Sequence, residues 1–168
     1  MTRYVALLRG VSPQNLRMRA LAAVLKHAGF TSVKTLLSSG NAAFDSRINS
    51  ASDMETLIER SLGELTGRTF VTFVRPSATL RALAASHDYP APEGTKPIIV
   101  FHRPIKVDSP PVPTVDEAWS ILRYSSTEDF GYYCPGSRTS SLMSHLKRMY
   151  GDDFTTRTLA TVVKCSTA

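Results

Sequence analysis

The chain has 168 residues, 42% of them apolar and 20% charged, an ordinary globular composition that supports one large core or two small ones. Twenty Lys and Arg against fourteen Asp and Glu give a net charge of +6, and the excess lies early: residues 1–90 hold eleven basic and six acidic side chains, and no carboxylate precedes Asp45. No apolar run approaches the roughly 20 residues of a membrane span, no secretory leader precedes Tyr4, and Cys134 and Cys165 lack metal-type spacing, so the expectation is a reduced, cytosolic protein.

In chain order, residues 3–10 predict a strand with Tyr4, Ala6 and Leu8 on one face and Val5 and Leu7 on the other. Pro13, in the loop 11–16, stops it. Met18, Leu21, Ala22 and Leu25 recur at helical spacing and predict a helix over 17–29, with Gly29 as C-cap and Phe30 as the apolar contact beyond it. Residues 32–39 alternate loosely as a second strand. Ser38, Ser39, Gly40 and Asn41 turn the chain into a third strand over 42–45. Ser52 and Glu55 read as a capping box for a helix over 53–66, with Met54, Leu57, Ile58, Leu62 and Leu65 facing the sheet and Gly67 ending it. Residues 69–75 supply a fourth strand. Strand, helix, strand, strand, helix, strand is the βαββαβ, ferredoxin-like order, the alpha-beta plait.

Beyond it, Ser77 caps a short helix carrying Leu80, Leu83 and Ala84, and residues 89–97, with three prolines and a glycine, read as a linker. Residues 98–102 form an apolar strand, and Pro110, Pro111 and Pro113 forbid regular structure. Residues 119–125 and 130–134 read as a strand pair. Leu142, Leu146, Met149 and Tyr150 make a helix stopped by Gly151. Thr155, Thr156 and Arg157 form a strand or turn before a last helix with Leu159, Val162 and Val163 inward. The expectation is an α+β protein of two ferredoxin-like units, each an antiparallel sheet with helices on one face. Residues 1–76 form the first, 77–97 a helix and Pro-rich linker, and 98–168 a second, irregular copy. A sheet of this kind leaves one face uncovered. If Tyr4, Ala6 and Leu8 lay there, they would form a large apolar patch, to be covered by the second unit, the C-terminal helix or another subunit.

The segments 4–11 (Tyr-Val-Ala-Leu-Leu-Arg-Gly-Val), 28–33 (Ala-Gly-Phe-Thr-Ser-Val), 38–41 (Ser-Ser-Gly-Asn) and 155–158 (Thr-Thr-Arg-Thr), in that order and spacing, resemble a bacterial family known as domain of unknown function 1697. The resemblance covers nearly the whole chain and is strongest over residues 4–46. It implies two ferredoxin-like α/β units and brings no established biochemical activity. Typical members follow Leu-Leu-Arg-Gly with an Asn-Val-Gly-Gly-like loop. Here Ser12, Pro13, Gln14 and Asn15 stand there, so a glycine-rich phosphate cradle does not carry over. Ser140 and Ser141 replace a Ser-Lys pair common before the penultimate helix, and Leu159 stands where many members have Trp.

Three groups of residues invite a ligand. Arg9, Arg17 and Arg19 flank the first strand-to-helix loop, where helix N–H groups and the dipole favour an anion. Cations in a first helical turn are otherwise disfavoured. Ser39 and Asn41 bring a hydroxyl and an amide beside a glycine, although a hairpin turn alone explains them. Arg157 lies between threonines before the last helix, where such residues also serve as caps. Catalytic chemistry is thin. His27, His87, His102 and His145 form no i, i+4 metal pair, Cys134 has no His nearby in sequence, and Glu128, Asp129, Asp152 and Asp153 read as turn and cap carboxylates. No metal, cofactor or nucleophile–base pair is implied. An RNA-recognition surface needs aromatics on the central strands, and Phe44 alone falls short. The favoured reading is a non-catalytic protein that binds an anionic small molecule or a nucleic-acid phosphate at the basic first loop, with weak nonspecific nucleic-acid binding as part of that expectation. Alternatives are a small enzyme acting on a phosphorylated substrate between the units, and an interaction or dimerisation module that forms a homo-oligomer.

Overall fold

The first strand of the N-terminal half is apolar on both faces. In a computed structural model, which describes residues 1–88, 90–105, 114–136 and 139–168, that strand is β1 (Thr2–Leu8). Helix α1 (Met18–His27), β2 (Thr31–Leu36), β3 (Asn41–Ser46), α2 (Ala51–Thr66), β4 (Thr72–Pro76) and α3 (Ser77–Ala85) follow. The sheet order is β2-β3-β1-β4, every neighbour antiparallel, which is the ferredoxin-like arrangement. Tyr4, Ala6 and Leu8 pack in one core with Leu21 and Leu25 of α1 and Met54, Ile58 and Leu62 of α2. They therefore line the face that the helices cover, not the open one. Tyr4 pairs across the ladder with Phe44, whose ring lies 4.4 Å from that of Phe30. The second face carries Val5, Leu7, Ala43 and Phe73, all buried.

The helix ends follow local chemistry. At the C-terminus of α1, Gly29 has φ +90°, and Phe30 N–H donates to Leu25 O at 3.1 Å, a Schellman closure with Phe30 seated in the core. Helix α2 begins two residues earlier than expected. Ser50, not Ser52, is its cap and accepts Asp53 N–H at 3.2 Å. Glu55 is absent from this cap because its carboxylate faces the sheet, where it accepts Val74 N–H at 2.8 Å.

The second half contains β5 (Lys96–His102), β6 (Thr114–Val115), β7 (Trp119–Arg123), β8 (Glu128–Tyr133), α4 (Thr139–Tyr150), β9 (Phe154–Thr158) and α5 (Leu159–Ser166). Its sheet runs β6-β7-β8-β5-β9. With β6 set aside, this is the first sheet's order again, so the expected degenerate copy is present. At Gly131 of β8 an added Cβ would stand 2.0 Å from Ser120 O, so only glycine fits where β7 and β8 approach. In α5, Val162 is buried but Val163 is exposed. Cys165 takes the inward position expected of Val163, because three residues separate it from Val162 along the helix. Pro110, Pro111 and Pro113, and Tyr89 of the expected linker, lie outside the described residues. The compact units are Met1–Leu83 with Val163–Ala168, and Ala84–Val162.

Candidate functional site

The end of β1 is pinned from two sides. Leu8 N–H donates to Gly40 O and Arg9 N–H to Val71 O, both at 2.8 Å. Gly40 has φ +76°, and a Cβ there would lie 2.7 Å from Val11 Cγ2, so glycine lets the β2–β3 turn close directly onto the first loop. The loop is internally bonded. Asn15 Oδ1 accepts Ser12 N–H at 2.8 Å, while Asn15 Nδ2 donates to Gly10 O at 2.7 Å. This fixed segment delivers Arg17 to the N-cap of α1 in an extended conformation, with no side-chain capping bond and no acid in the first turn. The first turn thus presents backbone donors and a positive dipole end together with exposed Arg17 and Arg19.

Arg9, Arg17, Arg19 and Ser39 lie at one end of the first sheet, around the loop, with Arg9 half-buried and Ser39 exposed. Asn41 sits beneath them. It is fully buried, and its Nδ2 donates to Leu36 O at 3.1 Å and Ser39 Oγ at 3.0 Å, so the amide holds the turn. Arg157 is on β9 of the other unit, where Nη1 donates to Thr155 Oγ1 at 2.8 Å and Thr156 O at 2.7 Å. The corner offers cations, a hydroxyl and N–H groups, a donor set suited to an oxyanion. Phe44, the aromatic weighed for base stacking, is buried on the helix-covered face.

Periodicity did not reveal a polar network inside the second unit. Asp129, expected in a turn, is on β8 and fully buried. Its Oδ1 lies 3.3 Å from His102 Nε2 and accepts Ser125 N–H at 3.2 Å, and its Oδ2 accepts the Tyr150 hydroxyl at 2.5 Å. His102 Nδ1 faces Arg103 O at 2.9 Å, so both ring nitrogens meet oxygen atoms. The His102 ring stacks on Tyr150 at 4.2 Å. Burial, then the hydrogen bond to Asp129, raises the Tyr150 phenol far above its ordinary range. Nearer the surface, Tyr124 Oη lies 3.3 Å from His145 Nε2 and 3.0 Å from Thr114 Oγ1, and Trp119 Nε1 donates to Ser141 Oγ at 2.8 Å. The sequence signal for this network was a histidine closing an apolar run and an aspartate beside Phe130. Their cross-strand register was needed to join them. Among the described residues, no three His, Cys, Asp or Glu gather to hold a metal ion, and no helix is long and apolar enough to cross a membrane.

The family described as "Protein of unknown function (DUF1697)" matches residues 1–119. Conserved bacterial protein SP0830 from Streptococcus pneumoniae has a similar structure, with a TM-score of 0.69 and 19% identity over 99% of this chain and 97% of that one. At that identity the likeness shows the fold alone. No curated protein matches the chain.

Proposed function

We propose that this chain, which belongs to the family described as protein of unknown function (DUF1697), binds an anionic small molecule or a nucleic-acid phosphate at the corner between β1 and α1. The observation that carries this reading is the start of α1, where Arg17 is the cap residue, no side chain caps the helix and no acid lies in its first turn. A helix start that carries cations in place of an anion is electrostatically disfavoured until an anion joins it. Asn15 and Gly40 support the reading by fixing the loop in advance, so little ordering cost falls on binding.

The test compares the wild type with an Arg17→Ala, Arg19→Ala double variant, whose replaced side chains are exposed. A bound phosphate raises the melting temperature with the logarithm of its concentration above saturation, whereas solute exclusion affects both proteins alike. The expected result is that the double variant loses most of the millimolar-range stabilisation seen in wild type. Equal responses would make the arginines a solvated face.

A further inference from the structure

The turn between β2 and β3 presents an apolar side chain on a backbone that disfavours it. Leu37 has φ +59° and is 47% exposed, between half-buried Leu36 and exposed Ser38 and Ser39. A left-handed conformation suits Gly or Asn, whereas leucine there is strained. A turn built for stability alone would therefore carry Asn or Gly at this position. Leucine instead strains the backbone and holds a branched alkyl group in water. Cations with no acidic partner stand near it. Arg17 and Arg19 follow the loop that meets this turn where Val11 packs against Gly40. Lys34 is three residues back along β2, and Arg68 lies between α2 and β4, three residues before the Val71 carbonyl that Arg9 N–H bonds. All four are exposed, and none makes an ion pair with any described residue. Residues 1–44 hold no carboxylate, and Asp45, toward the other end of β3, is paired with Arg3.

We infer that this end of the first unit docks reversibly on an acidic membrane surface, with Leu37 entering the boundary between headgroups and acyl chains and the four cations meeting the headgroups. An alkyl group with cations beside it matches the two layers of such a surface, apolar beneath and negatively charged above. Insertion gives the strained residue a use, because its side chain leaves water only when the surface is present. A second copy of this chain does not fit, since it would bring the same positive charge to the contact. A nucleic-acid strand supplies the negative charge but offers an aliphatic side chain no apolar layer, and its bases are held by stacking on aromatic rings. One short side chain is a weak anchor, so the docking requires acidic lipid and stays reversible. Arg17 and Arg19 belong also to the phosphate site proposed at the β1–α1 corner, but headgroups need only surface charge, so the docking does not rest on that site.

The test is co-sedimentation of the full chain with vesicles of phosphatidylcholine, alone or mixed equally with phosphatidylserine. Wild type should bind the acidic vesicles, come off them as potassium chloride rises, and leave the neutral ones unbound. Leu37→Asn should weaken this binding about fivefold or more, since an apolar group is lost from the contact. Its vesicle-free melting temperature should be unchanged or higher, because Asn tolerates the left-handed backbone. Leu37→Met keeps the apolar group and should bind nearly as wild type does. The Arg17→Ala, Arg19→Ala double variant should weaken binding about tenfold or more. A Leu37→Asn protein that binds as wild type does, or that melts well below it, would overturn the inference, as would preferential binding of duplex DNA over acidic vesicles. Wild type that ignores acidic vesicles yet keeps a phosphate-dependent melting shift would overturn it and leave the corner site standing. Vesicle binding without that shift would do the reverse.

Discussion

Glu55 of α2 reaches the outer side of β4, where its Oε1 accepts Val74 N–H at 2.8 Å and stands 3.5 Å from Arg75 Nη1. One turn along the same helix, Glu59 Oε1 accepts Thr72 N–H, also at 2.8 Å. β4 is an edge strand, and these are backbone donors its ladder leaves over. Two carboxylates at i and i+4 thus match the spacing of alternate strand N–H groups and occupy the edge that a second strand would use.

Replacing Glu55 by Ala should cost about 1–3 kcal/mol, because the Val74 N–H loses its acceptor and a mostly buried guanidinium loses this carboxylate. Glu55→Gln keeps an acceptor oxygen and should lose less. Urea denaturation gives the first quantity. Size-exclusion chromatography at rising concentration should show self-association of the Ala variant first, if the edge is what the glutamates protect.

Asp129 joins His102, Tyr150 and the Ser125 backbone in one buried cluster. Asp129→Ala should cost about 3–5 kcal/mol, since a buried partner is removed while the other groups stay. Tyr150→Phe removes one hydrogen bond and should cost about 1–3 kcal/mol. A double-mutant cycle in urea should show the two changes to be strongly non-additive.

His145 should make the fold less stable in mild acid. Burial comes first and the Arg148 charge second in lowering its proton affinity, and Asp129 opposes both; Tyr124 and Trp119 complete its surroundings. The unfolded chain takes up the proton near pH 6.5, before the folded one does, so stability falls as pH drops below about 6.5. His145→Gln should flatten the melting-temperature profile between pH 7.5 and 5.5. Trp119, the chain's one tryptophan, lies 4.7 Å from this imidazole and should report its protonation through emission intensity.

Asp45 acts at lower pH. The hydrogen bond from Ser32, then Arg3, holds its carboxyl below the ordinary value against an opposing effect of burial. Its contribution is therefore present above about pH 3.9 and is lost as pH falls through the folded value. An Asp45→Asn variant should be less stable than wild type at pH 7 and converge with it near pH 2, measured by thermal unfolding.

Gly40→Ala tests the corner itself. The substitution places a Cβ on a backbone at φ +76°, 2.7 Å from Val11, and should cost about 1–3 kcal/mol or displace the loop. If the loop delivers Arg17 to an anion, the same variant should lose part of its phosphate response beyond what its stability loss explains.

The first unit was legible because each local signal agreed with the fold. Apolar spacing in α1, Gly29 followed by Phe30, Gly67 after α2 and the turn at Gly40 all fell where the chain uses them. The misplaced cap shows where that agreement stops. Ser52 with Glu55 satisfies a capping pattern, but Glu55 has a partner in β4, and no local pattern reveals a contact made nineteen residues away. The faces of β1 could not be ranked from alternation, since both carry apolar residues and only the packing of Phe30 and Phe44 decides between them. Asp129 and His102 lie on strands that pair only through a register the sequence does not print. At the candidate corner the arginines were visible as charge. The pinning of the loop by Asn15 and Gly40, and the inward use of the Asn41 amide, were not.

The division of the chain also sets an order of events during synthesis. Met1–Leu83 is made before Ala84–Val162, and its sheet can begin to pair while that later stretch is still being made. The last part of that unit, Val163–Ala168, arrives only after the intervening residues, and Arg3 waits for Ala168 across a separation of 165 positions. Closing so long a span adds little entropy over a moderately shorter one, because the cost grows with the logarithm of length. Its effect is on timing. Until residues 163–168 leave the ribosome, the unit built on Met1–Leu83 lacks the segment that Arg3 and Arg81 hold, and a nascent chain stalled before residue 163 carries that surface unfinished.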